Sequence, residues 1–562
     1  MGPGPDAVAG LRADEQLTDI DRTTRRSGRQ NDMTETTRHP QFEVAVIGAG
    51  PGGIAAGAKL RMAGIDDFVI LERADDVGGS WHENHYPGIA VDVPSTTYQY
   101  SFERNPNWSR FFAPGPEVKK YHADVARKYG LYERTRFDST VERETWDDDN
   151  AWWTLHLNDG STVTARFVIS AIGSFVRPKE DVGIAGAKSF RGKVQRPTSW
   201  DEDYDMAGKT VGIIGTGASA VQIIPAIAPE VGALTVFQRT PVWSVPKPDF
   251  VVPKALKVVL GIPGVSASIN GAAFVAVDVL LRFVSKTPIA TFRPIADKFD
   301  AWMIAGYARY VRWVVKDPAT ATKLSPNFGV LAKRPTMSTG YLSAYNRDNV
   351  TLITDPIEKI TPTGVKTRDG VLHKFDVLIL ATGYEVFSDP ETYRPGTVVG
   401  RNGFDLAEFY NSEGLQAYQS VSVPGLPNRW TLVGPYSWSG TSWHAFVETT
   451  SDHAVRAITE TRRRSAAICE VRKDVADAYH REVHKRAEGV RYYLTELNGH
   501  VPTYYRNSQG DSTYIRPASY FEARRQTREF PLDDYRYEPA PATGSGHTET
   551  AAGDSTPAAA AR

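Results

Sequence analysis

Two glycine-rich turns, each closing an apolar run and opening a helix-like stretch, and further strand-like runs after a long helical segment, predict an α/β protein with two Rossmann-like dinucleotide-binding domains, the second inserted into the first and itself carrying a helical insertion. The length agrees with this reading. At 562 residues the chain corresponds to several domain-sized units, with 41% hydrophobic and 23% charged residues, ordinary for a protein that buries a large core.

Residues 1–40 are polar and lack the apolar run of an export signal, so they are expected to form a disordered leader. Phe42-Glu-Val-Ala-Val-Ile-Gly, a helix-like stretch and then Phe68-Val-Ile-Leu-Glu72 read as a β-α-β unit. Strand-like runs at Trp152–Leu157 and Arg166–Ala171 continue this first part, placed at 41–185. The pattern returns at Thr210-Val-Gly-Ile-Ile-Gly215, followed by a helix-like stretch through Ile227 and then Leu234-Thr-Val-Phe-Gln-Arg239. The second domain is placed at 186–375, with its helical insertion at about 250–327. Val377–Leu380 and Trp430–Val433 look like strands that return the chain to the first unit, over 376–538. The Pro/Ala/Gly/Thr tail at 539–562 has little to bury and is expected to be disordered.

Gly48-Ala-Gly50-Pro-Gly-Gly53 matches G-x-G-x-x-G at the end of a strand. Such glycines allow a tight turn and let helix-start N–H groups approach a pyrophosphate. Glu72, about twenty residues on, ends the next strand where a ribose hydroxyl would be held, and without a basic residue there the site suits FAD or NAD. The second loop, Gly215-Thr216-Gly217-Ala-Ser219-Ala220, opens a unit whose next strand ends in Gln238-Arg239-Thr240. A guanidinium and a hydroxyl at that place suit a 2′-phosphate, hence NADPH.

Composition excludes several alternatives. With 65 basic and 66 acidic side chains the net charge is -1, so no global field draws in nucleic acid or an anionic membrane, and partners must be argued from local sites. The single cysteine, Cys469, rules out an intramolecular disulfide and the C-x-x-C pair of a disulfide reductase, and it suits a reducing, cytoplasmic setting. Electrons passing from NADPH through a flavin then go to oxygen or a small acceptor. His82 and His85 lack partners at metal-ligand spacing, so no metal site is expected. Val258–Val277 carries no charge and approaches bilayer length, but its glycines, Pro263 and polar residues predict a buried helical pair and no stable membrane span. The aromatic and arginine-rich stretch Tyr504–Arg528 reads as a segment packed over the flavin-binding part, not as a nucleic-acid site.

Gly78-Gly-Ser-Trp81-His-Glu-Asn-His-Tyr86-Pro87-Gly88-Ile-Ala-Val-Asp92 resembles, position by position, the pattern [A/G]-G-x-W-x-x-x-x-[F/Y]-P-[G/M]-x-x-x-D of Baeyer-Villiger monooxygenases, which are class B flavin-dependent monooxygenases. Asp376 through Ala381-Thr-Gly-Tyr384, Lys333-Arg334-Pro335, Pro427-Asn428 and Gly434-Pro435 resemble further segments of the family. Its other fingerprint, F-x-G-x-x-x-H-x-x-x-W-[P/D], reads here as Phe190, Gly192, Arg196, Trp200 and Asp201, with arginine where histidine is expected. Trp200 and Asp201 keep it nearer the Baeyer-Villiger form than the N- or S-oxygenating form. Arginine cannot titrate near neutral pH. If the family's histidine couples domain motion to NADPH binding, Arg196 predicts slower, less coupled or differently gated turnover.

The resemblance implies FAD in the first unit, NADPH in the second, and oxygen transfer from O2 to a small-molecule ketone through a flavin peroxide, giving an ester or lactone. It implies that Arg334 is the active-site cation, that Asp92 pairs with and orients it beside the flavin, and that Trp81 lies with the cofactor. Lys333 would join Arg239 and Thr240 at the NADP phosphate, and Trp438 and Trp443 would line the substrate site. Two other readings stay open: oxygenation of sulfur or nitrogen, and a weakly active FAD- and NADPH-binding oxidase or sensor. Substrate identity and oligomeric state are not encoded in these motifs.

Overall fold

The structure is a computed structural model that describes residues 39–541 except 439 and 441. The leader and tail expected at the two ends lie, apart from their innermost residues, outside the described residues. From Pro40 onward the described chain forms one compact unit.

The strands of the two main sheets are β1 (Phe42–Ile47), β2 (Phe68–Leu71), β3 (Thr135–Arg136), β4 (Val141–Asp147), β5 (Trp152–Leu157), β6 (Thr162–Ser170), β7 (Lys193–Gln195), β8 (Thr210–Ile214), β9 (Ala233–Phe237), β10 (Val350–Ile353), β11 (Val377–Leu380), β12 (Val398–Val399) and β13 (Arg429–Thr431). The first sheet runs β12-β4-β5-β6-β1-β2-β3, with β13 also on β6, and the second runs β10-β9-β8-β11-β7. β1 is parallel to β2 and β6, pairing Val46 with Ile70 and Ile169. All four residues of β2 and the last four of β1 are buried, as expected of a parallel strand covered on both faces. Helices α1 (Pro51–Met62) and α2 (Ala218–Ile227) follow the two glycine turns, and α3 (Lys254–Gly261), α4 (Val265–Lys286) and α5 (Ile289–Val314) come before β10. Helix α6 (Trp443–Arg463) packs on α1, where Gly52 leaves room for Val447.

Two expectations are corrected. Val377–Leu380 does not return the chain to the first sheet: β11 lies between β8 and β7 of the second, pairing Val377 with Val211 and Lys193. A short run of four apolar residues suits the interior of any parallel sheet, so its composition cannot say which. The return comes later, through β12 beside β4 and β13 beside β6. The apolar stretch Val258–Val277 is helical but not buried: Val258 is 71% and Val275 51% exposed.

Polar anchors hold the returning segments. Arg429 on β13 donates two hydrogen bonds, at 2.6 and 2.8 Å, to Glu144 on β4, and both side chains are buried. Asn428 adopts a positive φ and uses its side-chain amide on both Ala467 and Cys469 of the C-terminal segment. Asp300 of α5 accepts from Tyr493 and Asn498, which ties the helical segment to the C-terminal one. Removing one member of a buried ion pair strands the other charge at a cost of about 3–5 kcal/mol. Glu144→Ala should therefore lower unfolding stability by about that amount, read by denaturant melts, whereas a loss under ~1 kcal/mol would show that the pair does not anchor β13.

Candidate active site

The first glycine turn has a geometry that can receive a phosphate. Gly48 has φ +97°, and a Cβ on Gly53 would lie 1.8 Å from the Gly48 carbonyl oxygen, so the strand and helix approach closely only because both are glycine. Gly53 serves this packing, while Gly48 and Gly50 face the cavity. No side chain caps α1 at Gly50, which leaves helix-start N–H groups directed at the cavity. Glu72 is buried at the end of β2 and accepts from the backbone N–H groups of Ala49 at 2.5 Å and Ala74 at 2.9 Å. Its carboxylate thereby stiffens the turn while lining the same cavity. Trp81 is held by an Nε1 hydrogen bond of 2.9 Å to the Tyr98 hydroxyl, whose pKa burial pushes up to about 12.

The second turn repeats the device. Gly215 has φ +113°, a Cβ there would be 2.3 Å from the Ala381 carbonyl oxygen, and Gly217 starts α2 with no side-chain cap. Thr216 donates to the Thr240 carbonyl at 3.0 Å, joining the turn to the end of β9. Ser219, Arg239, Thr240 and Lys333 all face the cavity. Lys333 has no carboxylate beside it, and burial together with the charge of Arg239 pushes its ammonium pKa down. Two neighbouring cations that repel one another form a site that only an anion satisfies.

Between the turns stands an ion pair. Arg334 Nη2 lies 2.5 Å from Asp92 Oδ2, uniting a residue of the second unit with the end of the Trp81–Asp92 segment. The Asp92 charge, against the opposing effect of desolvation, raises the guanidinium pKa well above its ordinary value, and Tyr504, Tyr505 and Tyr514 add to it. Arg334 is 39% exposed, yet that surface faces a cavity of about 1960 Å³. A cavity several times the size of an ordinary small-molecule pocket has room for large cofactors and a substrate together. Trp438 stacks on Tyr505 at 6.2 Å, Tyr504 and Tyr514 complete the cluster, and Trp443 lines the wall from the start of α6.

The same segment locks the units together. Tyr86 donates to Gln222 Oε1 at 3.0 Å, Gln222 donates to the Ala90 carbonyl at 2.8 Å, and Gly88 packs so tightly on α2 that a Cβ would be 2.6 Å from the Gln222 carbonyl oxygen. Of the other fingerprint, only Arg196 faces the cavity, where its Nη1 donates to the Lys179 carbonyl at 3.2 Å. Phe190 and Trp200 are core residues, Gly192 packs on the Asp376 carbonyl, and Asp201 pairs with Lys193. The structure therefore does not gather Phe190, Gly192, Trp200 and Asp201 at the cavity; the Trp200 carbonyl instead accepts a hydrogen bond from His85 Nε2, at 2.9 Å, beside the first fingerprint.

Sequence reasoning missed Tyr504, Tyr505 and Tyr514 as cavity residues. Burial, first among the causes, holds all three phenols protonated far above neutral pH. Their aromatic density was visible, but adjacency to Arg334 across so long a stretch of chain was not. Gln222, at an ordinary helical position, carried no signal at all.

Residues 45–256 match the pyridine nucleotide-disulphide oxidoreductase family. The chain is 34% identical over 512 residues to a Baeyer-Villiger monooxygenase of Streptomyces coelicolor, covering 90% of this chain and 94% of the relative. It is 33% identical over 502 residues to a Baeyer-Villiger monooxygenase of Pseudomonas aeruginosa, covering 89% and 92%. A solved complex of OTEMO with FAD and NADP superposes with a TM-score of 0.75 at 26% identity, over 89% of this chain and 100% of that one. The uncapped glycine turns and the paired cations fit the two cofactors that this complex contains. With both dinucleotide turns and an arginine–aspartate pair around one cavity, and relatives matching over nearly its whole length, the chain belongs to the Baeyer-Villiger monooxygenases, enzymes that use FAD and NADP.

Proposed function

We propose that this enzyme inserts one oxygen atom of O2 beside the carbonyl of a small-molecule ketone, consuming NADPH and a proton and releasing an ester or lactone, NADP⁺ and water. The observation that carries this reading is the Arg334–Asp92 pair within a cavity walled by aromatic residues. When bound, FAD supplies the activation of oxygen and NADPH the reducing equivalents.

The chain's own residues answer the remaining needs. Arg334 offers a positive charge that cannot give away its proton, so it stabilises negative charge developing on oxygen without quenching it. Asp92 orients the guanidinium through a charge-assisted hydrogen bond. Trp438, Trp443 and the three tyrosines exclude water from the reacting atoms. Gly48, Gly50 and Glu72 hold the FAD pyrophosphate and ribose, with Trp81 beside them. Gly215, Thr216, Gly217 and Ser219 receive the NADP pyrophosphate, and Arg239, Thr240 and Lys333 its 2′-phosphate. We place the reaction in the cytoplasm, because a chain with the single cysteine Cys469 forms no intramolecular disulfide and suits a reducing compartment.

Purified protein should show flavin absorbance, oxidise NADPH in air, and with an accepted ketone yield a product heavier by one oxygen while hydrogen peroxide falls. Products confined to sulfoxides or N-oxides across a mixed substrate panel would overturn the ketone assignment. Arg334→Ala should retain FAD and abolish oxygenation; normal product formation by this variant would remove Arg334 from its role. Arg239→Ala should raise the KM for NADPH by about tenfold to a hundredfold, the worth of one or two charge-assisted hydrogen bonds, and leave the KM for NADH unchanged. An equal effect on both coenzymes would place Arg239 away from the 2′-phosphate.

A further inference from the structure

Helix α4 is inside out. It is the one helix among the described residues long and apolar enough to cross a bilayer, with a mean hydropathy of 1.6, yet only 11% of that window is buried. Its buried positions include Ser266, Asn270 and Asp278, while Ile269, Val275, Val279, Leu280 and Phe283 are exposed. At 3.6 residues per turn, these exposed apolar positions fall on one arc of roughly 140°. A core helix of a globular protein shows the reverse pattern.

The helices on either side continue the surface. Val258 of α3 and Ile262 just after it are 71% and 50% exposed, and on α5 Ile295, Phe299, Trp302 and Trp313 are exposed along one stripe, with Trp302 at 70% and Trp313 at 81%. Spanning is ruled out by the polar face, which the protein itself holds. Asn270 donates to the Thr96 carbonyl at 2.6 Å, and Asp278 accepts from the Phe521 backbone at 2.9 Å and from Arg282 at 2.6 Å. Lipid on all sides would strip those bonds.

Charge selects the occupant. Residues 254–316 contain nine Lys or Arg and three Asp, two of the three buried, in a chain whose net charge is -1; Arg282, Lys286 and Arg293 pair with Asp278, Glu522 and Glu496, and the other six cations still outnumber the exposed Asp297. Exposed tryptophans among apolar residues with a fringe of cations are the chemistry of an anionic lipid surface. A second copy seated symmetrically on the same face would set these cations against one another. Leu280, Phe283, Ile295 and Phe299 are both exposed and part of the cavity wall, so the apolar surface runs to the mouth of the active-site cavity.

We propose that the α3–α5 face seats this enzyme on an anionic lipid bilayer, lying within the interface without spanning it, with the mouth of the cavity turned toward the lipid. An apolar substrate then reaches the cavity from the membrane without crossing water.

The test uses the full-length, FAD-loaded protein and phosphatidylcholine vesicles with and without phosphatidylglycerol. Sedimentation should bring down the protein with the anionic vesicles, less as salt rises, and far less with phosphatidylcholine alone. A V279E/W302E double variant, altered only at exposed positions outside the cavity wall, should bind at least about tenfold more weakly while keeping its flavin and its rate of NADPH oxidation in solution. Brominated lipid should quench the fluorescence of the parent protein and quench W302F less. Failure of the parent protein to sediment with either vesicle, or undiminished binding by the double variant, would overturn the proposal. So would a dimer in solution that the double variant splits while vesicles are ignored, because the face would then be a contact between copies.

Discussion

The Arg334–Asp92 ion pair is the contact on which the site depends, because its two members come from the two halves of the molecule. Asp92 ends the segment that leaves the first glycine turn, and Arg334 precedes the return to the second sheet. Neither half alone makes a charged and aromatic cavity. The pair is held in place by neutral contacts: Tyr86 and Ala90 bonded to Gln222, and Gly88 packed on α2. A guanidinium fixed in this way keeps its charge at every pH at which the protein is folded, while its planar fork keeps one orientation. Burial of the tyrosines around it has the complementary effect of keeping each phenol neutral.

The same economy of polar contacts explains how so long a chain closes on itself. Arg429 and Glu144 join strands nearly three hundred residues apart, Asn428 satisfies two backbone groups of the C-terminal segment, and Asp300 holds α5 through Tyr493 and Asn498. Buried charges are costly unless fully paired, so each of these marks a junction at which register matters more than raw stability. At α4 the logic runs the other way. Its polar residues are spent on the protein, and its apolar residues are left facing outward.

What was legible in the sequence follows from local backbone chemistry. A turn that needs φ above zero, or a helix that must touch a carbonyl, admits only glycine, so Gly48, Gly53 and Gly215 could be read directly. The charge at the end of each second strand, Glu72 against Arg239, gave the expectation of two different cofactors for the same reason: it lies a fixed distance from the turn that precedes it. Asp92 and Arg334 were legible one at a time, as members of spaced patterns, and the structure shows them in contact.

Other features depend on which segments meet, and no local pattern encodes that. Val377–Leu380 had the composition of an inner parallel strand, but its place in the second sheet was decided by β8 and β7. Of the second fingerprint, Phe190, Gly192 and Trp200 proved to be packing residues, and only Arg196 reached the cavity. Tyr504, Tyr505 and Tyr514 became part of the site because the C-terminal segment folds back over Arg334. The sequence by itself determined the two glycine turns, the charge that ends the strand after each and the charged residues available for chemistry, since each is set by residues a few positions apart. Only the tertiary structure decided which of those charges pair, what walls the cavity, and that the apolar face of α4 points outward, since burial is a property of the whole packed chain.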